Sequence, residues 1–524
     1  MTSSTVGVTP VPGNPRLLLS AYDLATVGYV AEEFFVSATA SRYGPTGELG
    51  ADGCWEVTRC GAADFTTRVV VLTPAEPARF NGTVLVEWLN VSGGIDAAAV
   101  WMMAHREILR AGYAYVAVSA QRVGVEGGES LLGADMSLKS QDPQRYAALH
   151  HPGDAFSYDI FSQIGGLLKT GGHTAMLRGL PARHVIALGE SQSAMFLTTY
   201  INAVDPLAGV FDGFLVHSRF GPAAPLDGTS IFTESTEPQA VTFRPELRVP
   251  VLTLITETDV FGGPREGYYF ARQPDNPRLR VWEIAGAAHA DNYTIQVAFI
   301  DSGSAPLEDI VSGYAPTNML MGQQLPHYIN FGPQHHYVVQ AALAALNTWV
   351  TAGQPAPGAE PLQVREGPAP QPVLDGNGLA RGGLRTPWVD VPIARTSGLG
   401  GQESVMSAIF GSGEPFDAAT LERMYPGGRT EYLERFTVAL DAAIGAGFIL
   451  PADRAEILRL AAATFPGYNS RLSGGGPGTG RTSPAPVISG RSSADSRPGG
   501  AAHTAGMALT IRDDPAIRAP RSWS

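Results

Sequence analysis

Two cysteines in 524 residues leave almost nothing from which to build a disulfide framework. Cys54 and Cys60 are read as free thiols of a reducing compartment, with a local Cys54–Cys60 bridge as the alternative. Charge is scarce as well: 16% of residues are charged, and the formal net charge is -13. An acidic surface repels a polyanion, and no basic stripe with interleaved aromatics reverses that balance, so nucleic acid is not expected as a partner. No apolar run reaches the ~18 residues that a membrane-crossing helix needs. The opening stretch, MTSSTVGVTPVPGNPR, lacks the basic start, apolar middle and small-residue cleavage site of a secretory signal. The expectation is a soluble, cytoplasmic protein that engages neither membrane nor nucleic acid. Metal-ligand spacing is missing too, and the pairs His150–His151 and His335–His336 read as structural histidines. No metal and no cofactor are expected.

What is present is apolar residue: 44% of the chain, enough for a sizeable core. Residues 66–90 hold two β-rich runs split by a Pro- and Asn-Gly-containing turn, which predicts antiparallel entry into a sheet. Residues 95–112 carry apolar side chains at helical spacing and stop at Gly112. Strand runs follow at 114–121, 184–189, 211–218, 249–259 and 279–289. Helical runs lie at 153–169, with Asp154 as expected N-cap, and at 194–204. This alternation predicts an α/β fold with a mostly parallel sheet and helices on both faces. A strong helix is expected at 338–353, a Gly- and Pro-rich ordered wrap at 375–394, and two terminal helices within 430–465.

The expected organisation has four parts. Residues 1–65 form an extension packed on the core. Residues 66–355 form the core, with cap-like insertions at 219–247 and 290–336. Residues 356–466 form the wrap and a C-terminal helical extension. From Gly467 onward the chain is Gly, Ser, Pro and Arg, a composition that cannot offset ordering entropy, and disorder is expected there.

The chemistry concentrates in VIALGESQSAMF, residues 185–196. A serine hydroxyl is a poor nucleophile unless a base takes its proton and donors hold the oxyanion. A tight strand–turn–helix elbow presents such a serine, and it demands small residues two before and two after. Here those are Gly189 and Ser193, around Ser191. The acid and the histidine should follow, each after a later strand. Asp259 closes one expected strand, and His289 closes another, in the small-residue loop AGAAHAD. Glu257 is the alternative acid, and Asp259 is preferred because a strand end followed by a loop favours the later residue. The first oxyanion donor is expected from the Gln192 amide. The second comes from Asn90, Val91 or Ser92 in the loop EWLNVSGG. Glu190, Trp88 and His217 are the expected substrate-binding residues. If the insertions cap the site, Phe220, Phe232, Tyr314, Met319, Met321, Tyr328 and Phe331 line an apolar pocket.

These residues carry a resemblance. Through GYVAEEFFVSATASRY, LVEWLNVSGG, GESQSAMFLTTYINAV, VLTLITETDV and GGLRTPWVDVP, the chain resembles the α/β-hydrolase superfamily. More narrowly it is similar to bacterial proteins described only as alpha/beta hydrolase domain-containing. The likeness spans about residue 28 to residue 395 and continues through the terminal helices to about 465. It implies the α/β-hydrolase fold, a Ser–acid–His mechanism and carboxylic-ester hydrolysis of a small molecule without a cofactor. A lactonase, amidase or acyltransferase would need the same residues. A non-catalytic binding protein on the same fold is the reading from another class, and the intact order Ser191, Asp259, His289 argues against it.

Overall fold

The computed structural model describes residues 6–466, except 132, 134, 171–174, 232–239, 264, 368 and 402–403. The expected disordered tail and Phe232 therefore lie outside the described residues.

A nine-stranded sheet organises the chain. Its strands are β1 (Gly7–Val11), β2 (Tyr29–Pro45), β3 (Val57–Pro74), β4 (Thr83–Trp88), β5 (Ala114–Val118), β6 (His184–Glu190), β7 (Gly213–His217), β8 (Val251–Thr256) and β9 (Leu279–Ile284). Their order across the sheet is β1-β2-β3-β5-β4-β6-β7-β8-β9. From β5 to β9 every pairing is parallel, whereas β1, β2 and β3 join antiparallel at one edge. The expected antiparallel entry is thus present, but β5 sits between β3 and β4. The expected boundary at residue 65 falls inside β3, because β2 and β3 form one long hairpin that ends as part of the sheet.

Both faces of the parallel strands are covered, so their side chains alternate between two cores. Leu85, Ile186, Leu188, Leu215 and Leu252 face one core, with helices α1 (Ala99–Ala111) and α4 (Gln334–Ala352). Val84, Val86, Val185, Ala187 and Val216 face the other, with α2 (Ser157–Thr170) and α3 (Gln192–Thr199). This is the expected α/β architecture, a mostly parallel sheet with helices on both faces.

The start of α1 shows how the sequence resolves a local problem. Its N-cap is Ala98, which offers no side-chain acceptor. Glu87, at the end of β4, supplies one instead: its carboxylate accepts from Val100 N at 2.8 Å, Trp101 N at 2.9 Å and Tyr115 Oη at 2.7 Å. Asp154 behaves differently from expectation. It does not cap α2, which is preceded by a 3-10 turn at Asp154–Phe156 with Gly153 at its cap. Its carboxylate accepts from Arg122 N at 2.7 Å.

The C-terminal region completes the first core. Helices α5 (Gly428–Gly445) and α6 (Arg454–Thr464) bury Tyr432, Phe436, Leu440, Ile457 and Leu460 against it. Arg106 of α1 pairs with Asp301 at 2.5 Å and with Glu456 at 2.9 Å, and Arg110 pairs with Asp453 at 2.6 Å. The Gly- and Pro-rich wrap is ordered. Leu384 N donates to Glu283 O at 2.6 Å, and Ala285 N donates to Leu384 O at 3.1 Å, so the wrap continues the sheet edge beyond β9. Both cysteines are free thiols, and no helix among the described residues is long and apolar enough to cross a membrane.

Candidate active site

The site stands at the C-terminal ends of the parallel strands, where three loops converge. Strand β6 ends at Glu190 and α3 begins at Gln192, so Ser191 alone makes the turn. Its backbone is strained, with φ 56° and ψ -116°, a conformation an L-residue adopts only when its surroundings impose it. The surroundings are visible. Ser191 N donates to His217 O at 2.9 Å, fastening the elbow to β7. A Cβ on Gly189 would stand 2.9 Å from Leu197 Cδ1 and 3.0 Å from the backbone Ser193 O, so the turn leaves little room for one. Ser193 adds to the turn: its Oγ accepts from Glu190 N and donates to Glu190 O, both at 2.9 Å.

Ser191 Oγ lies 2.8 Å from His289 Nε2, and His289 Nδ1 lies 2.6 Å from Asp259 Oδ1. Asp259 is fixed in turn. Its Oδ2 accepts from Thr256 N at 2.8 Å and from Thr256 Oγ1 at 2.7 Å. Strand β8 stops at Thr256, and Asp259 belongs to the short helix Glu257–Phe261, not to a strand end as expected. Thr256 is the N-cap of that helix and forms a reciprocal capping box with Asp259. Thr258 Oγ1 accepts from His289 N at 3.1 Å, and Phe220 stacks on the imidazole at 5.3 Å between centroids. Burial works to lower the His289 pKa, but the Asp259 and Glu190 carboxylates override it and the net shift is upward.

Glu257 points elsewhere. Its carboxylate accepts from Gly286 N at 2.5 Å, Gly398 N at 2.8 Å and Ser397 Oγ at 2.9 Å. It ties the wrap to the loop that carries His289, and the structure gives it no contact with the imidazole.

In the loop EWLNVSGG the three expected donors have different partners. Asn90 N donates to Ala97 O at 3.0 Å, and Ser92 N donates to Asn90 Oδ1 at 2.8 Å. The Asn90 amide is engaged as well, donating to Glu190 O at 3.1 Å and to Glu190 Oε2 at 3.2 Å. Val91 N faces the elbow, where Gln192 Oε1 accepts from it at a long 3.3 Å.

A family profile described as alpha/beta hydrolase domain matches residues 5–459. The chain belongs to that family. No curated protein matches it. Among solved structures it is similar to an esterase of Pyrococcus furiosus, at 10% identity over 53% of this chain and 89% of that one, with a TM-score of 0.29. It is also similar to a glucuronoyl esterase from Solibacter usitatus, at 10% identity over 53% of this chain and 80% of that one, with a TM-score of 0.28.

Three expected substrate contacts fare differently in this hydrolase domain. Glu190 is at the site, with Oε1 3.6 Å from His289 Nε2. Trp88 is not: it is fully buried among Tyr158, Phe161 and Phe196, with Nε1 donating to Gln121 Oε1 at 3.0 Å. It closes β4, and its side chain points into the second core. His217 is also buried, its Nε2 2.9 Å from His335 Nε2, and His335 Nδ1 is 3.8 Å from Asp291 Oδ2. Burial holds His217 well below the usual imidazole range and His335 down to about 3, while it pushes Asp291 up to about 7. Both rings are buried in the structure, beside the Ser191–His289–Asp259 cluster.

The expected cap splits as well. Tyr314 is a core residue, stacked on Tyr293 and His336. Met319, Met321 and Tyr328 are exposed on and beside the hairpin Met319–Gln324. Phe220 is the residue of the group that stacks on the His289 imidazole among the described residues. Thr256 and Thr258 are the residues that sequence reasoning missed. The spacing Thr256-x-x-Asp259 is the signal that would have found the first of them. Among the described residues no cluster of His, Cys, Asp or Glu could hold a metal ion.

Proposed function

We propose that this hydrolase-family protein is a serine esterase that cleaves a carboxylic ester through an acyl-enzyme. One observation carries the reading: an unbroken hydrogen-bonded chain from Ser191 Oγ through His289 to Asp259, mounted on a strained elbow. His289 Nε2 takes the Ser191 proton as Oγ attacks the ester carbonyl. Asp259 holds the Nδ1–H tautomer and stabilises the imidazolium. The tetrahedral oxyanion is held by the Gln192 amide and by Val91 N. Val91 N is currently engaged by the Gln192 side chain, so an oxyanion would take over a donor that is already aimed at the elbow. The imidazolium then protonates the departing alkoxide, and water activated by His289 releases the acid.

The test is hydrolysis of p-nitrophenyl esters from acetate to long acyl chains by wild type and Ser191→Ala. Ser191-dependent turnover supports the reading, and the best chain length measures the acyl pocket. A folded wild type that turns over no ester and takes no fluorophosphonate label at Ser191 would overturn it.

A further inference from the structure

We propose that Glu190 is a second carboxylate serving His289, a positioning residue that acts on Nε2 while Asp259 acts on Nδ1. The proposal rests on the triad reading above and adds a residue to it.

Glu190 immediately precedes the nucleophile, so the elbow fixes its backbone. Its side chain is fixed separately: Asn90 Nδ2 donates both to its backbone oxygen and to its Oε2. That leaves Oε1 facing His289 Nε2 at 3.6 Å. The distance is too long for a good hydrogen bond and short for a Coulomb interaction. Nε2 is also the atom that receives the Ser191 proton. The positive charge formed there thus meets a carboxylate at each nitrogen of the ring, one bonded and one across a gap. That gap keeps Nε2 available to Ser191 Oγ and then to the leaving oxygen. A directly bonded carboxylate would compete for the proton instead of steadying it.

The groups facing Glu190 set its own charge. His289 comes from the loop after β9, Asp259 from the turn after β8, and Asn90 from the loop after β4. Glu87, buried at the end of β4, also interacts with it through space. Burial raises the Glu190 carboxyl to about 7, with Asp259 adding to the rise while His289 and Asn90 oppose it. Each of Glu190 and His289 therefore feels the charge of the other when it titrates. Activity needs His289 neutral, and the Glu190 charge favours its protonated form. Removing that charge should therefore move the acid limb of activity to lower pH.

The experiment uses the full chain with 13C-labelled histidine and follows the His289 imidazole by NMR in wild type, Glu190→Gln and Glu190→Asp, without substrate. Glu190→Gln keeps an oxygen for Asn90 and loses the charge; Glu190→Asp keeps the charge and withdraws it by one methylene. The His289 midpoint should fall by about one pH unit in Glu190→Gln and by less in Glu190→Asp. With p-nitrophenyl acetate, the acid limb of kcat/KM should move the same way, with kcat reduced about ten-fold and KM for this neutral ester nearly unchanged. If either folded variant gives the wild-type midpoint where a shift is expected, the proposal is overturned. The two readings fail separately. A shifted midpoint in an enzyme with no Ser191-dependent turnover sinks the esterase. Ser191-dependent turnover with an unmoved midpoint sinks the role of Glu190 alone.

Discussion

Two carboxylates two residues apart have opposite duties, and the structure makes the difference measurable. Asp259 accepts from His289 with one oxygen and from Thr256 with the other, so in the proposed mechanism it orients the ring. Replacing it with Asn should leave stability close to wild type and reduce kcat by about 10^4-fold, because the amide offers the wrong partner to Nδ1–H. Glu257 accepts three hydrogen bonds from the wrap and the His289 loop, so it is a structural tie. Glu257→Ala should cost about 1–3 kcal/mol in urea denaturation, because buried donors lose their acceptor, with kcat of the folded fraction falling less than about ten-fold. A Glu257→Ala protein of wild-type stability that has lost all activity would reverse the assignment. The sequence ranked these two acids by a rule about strand ends, and Asp259 in fact sits in a helical turn. The preferred residue is the one that reaches His289, but the physical ground is the capping box, which aims Asp259 at the ring.

At the scale of elements, periodicity made most of the parallel sheet readable, because strands buried on both faces show as short apolar runs between turn signals. The elbow was legible for a similar reason: a turn this tight restricts residue size on both sides of Ser191. What stayed illegible depends on contacts distant in sequence. Trp88 ends an apolar strand like a pocket residue, yet alternation turns it into the core between α2 and α3. The α1 cap was hidden because Glu87 precedes the helix by more than ten residues. The C-terminal helices could be read as helices but not placed. Their placement rests on Arg106 and Arg110 reaching Glu456 and Asp453 over a shared apolar surface. Since α6 is built into the same core as α1 and α4, Leu460→Ala should lower stability by about 2–5 kcal/mol, as at other fully buried leucines. Urea midpoints measure this, and Ser191-dependent kcat should not change. A loss below about 0.5 kcal/mol would mean that α6 is only laid on the surface.

Across the whole molecule, burial of ionisable groups dictates how stability responds to pH. Burial raises Glu87 to about 8, and Glu190 and Asp291 each to about 7. In the unfolded chain these carboxyls titrate near pH 4, so from there up to their folded values the native state carries the extra protons. Stability must then fall as pH rises through the folded values. His289, raised by its carboxylates, contributes with the same sign. His105, His151, His217, His335 and His336 are all held below the usual imidazole range by burial. Their contribution has the opposite sign: it is complete above the unfolded imidazole value and is lost as pH falls below it. Above neutrality the histidine contribution is saturated and the carboxyls decide the slope. Between about pH 7 and about pH 9 the protein should therefore lose on the order of 1–2 kcal/mol, with release of protons from the native state. Glu87→Gln should flatten that slope, since Glu87 is the group pushed highest. Denaturation midpoints across this range, for wild type and Glu87→Gln, decide the matter. A wild-type stability that rises with pH would show that Glu87 is already ionised at neutral pH, held as a carboxylate by Val100, Trp101 and Tyr115 at the start of α1.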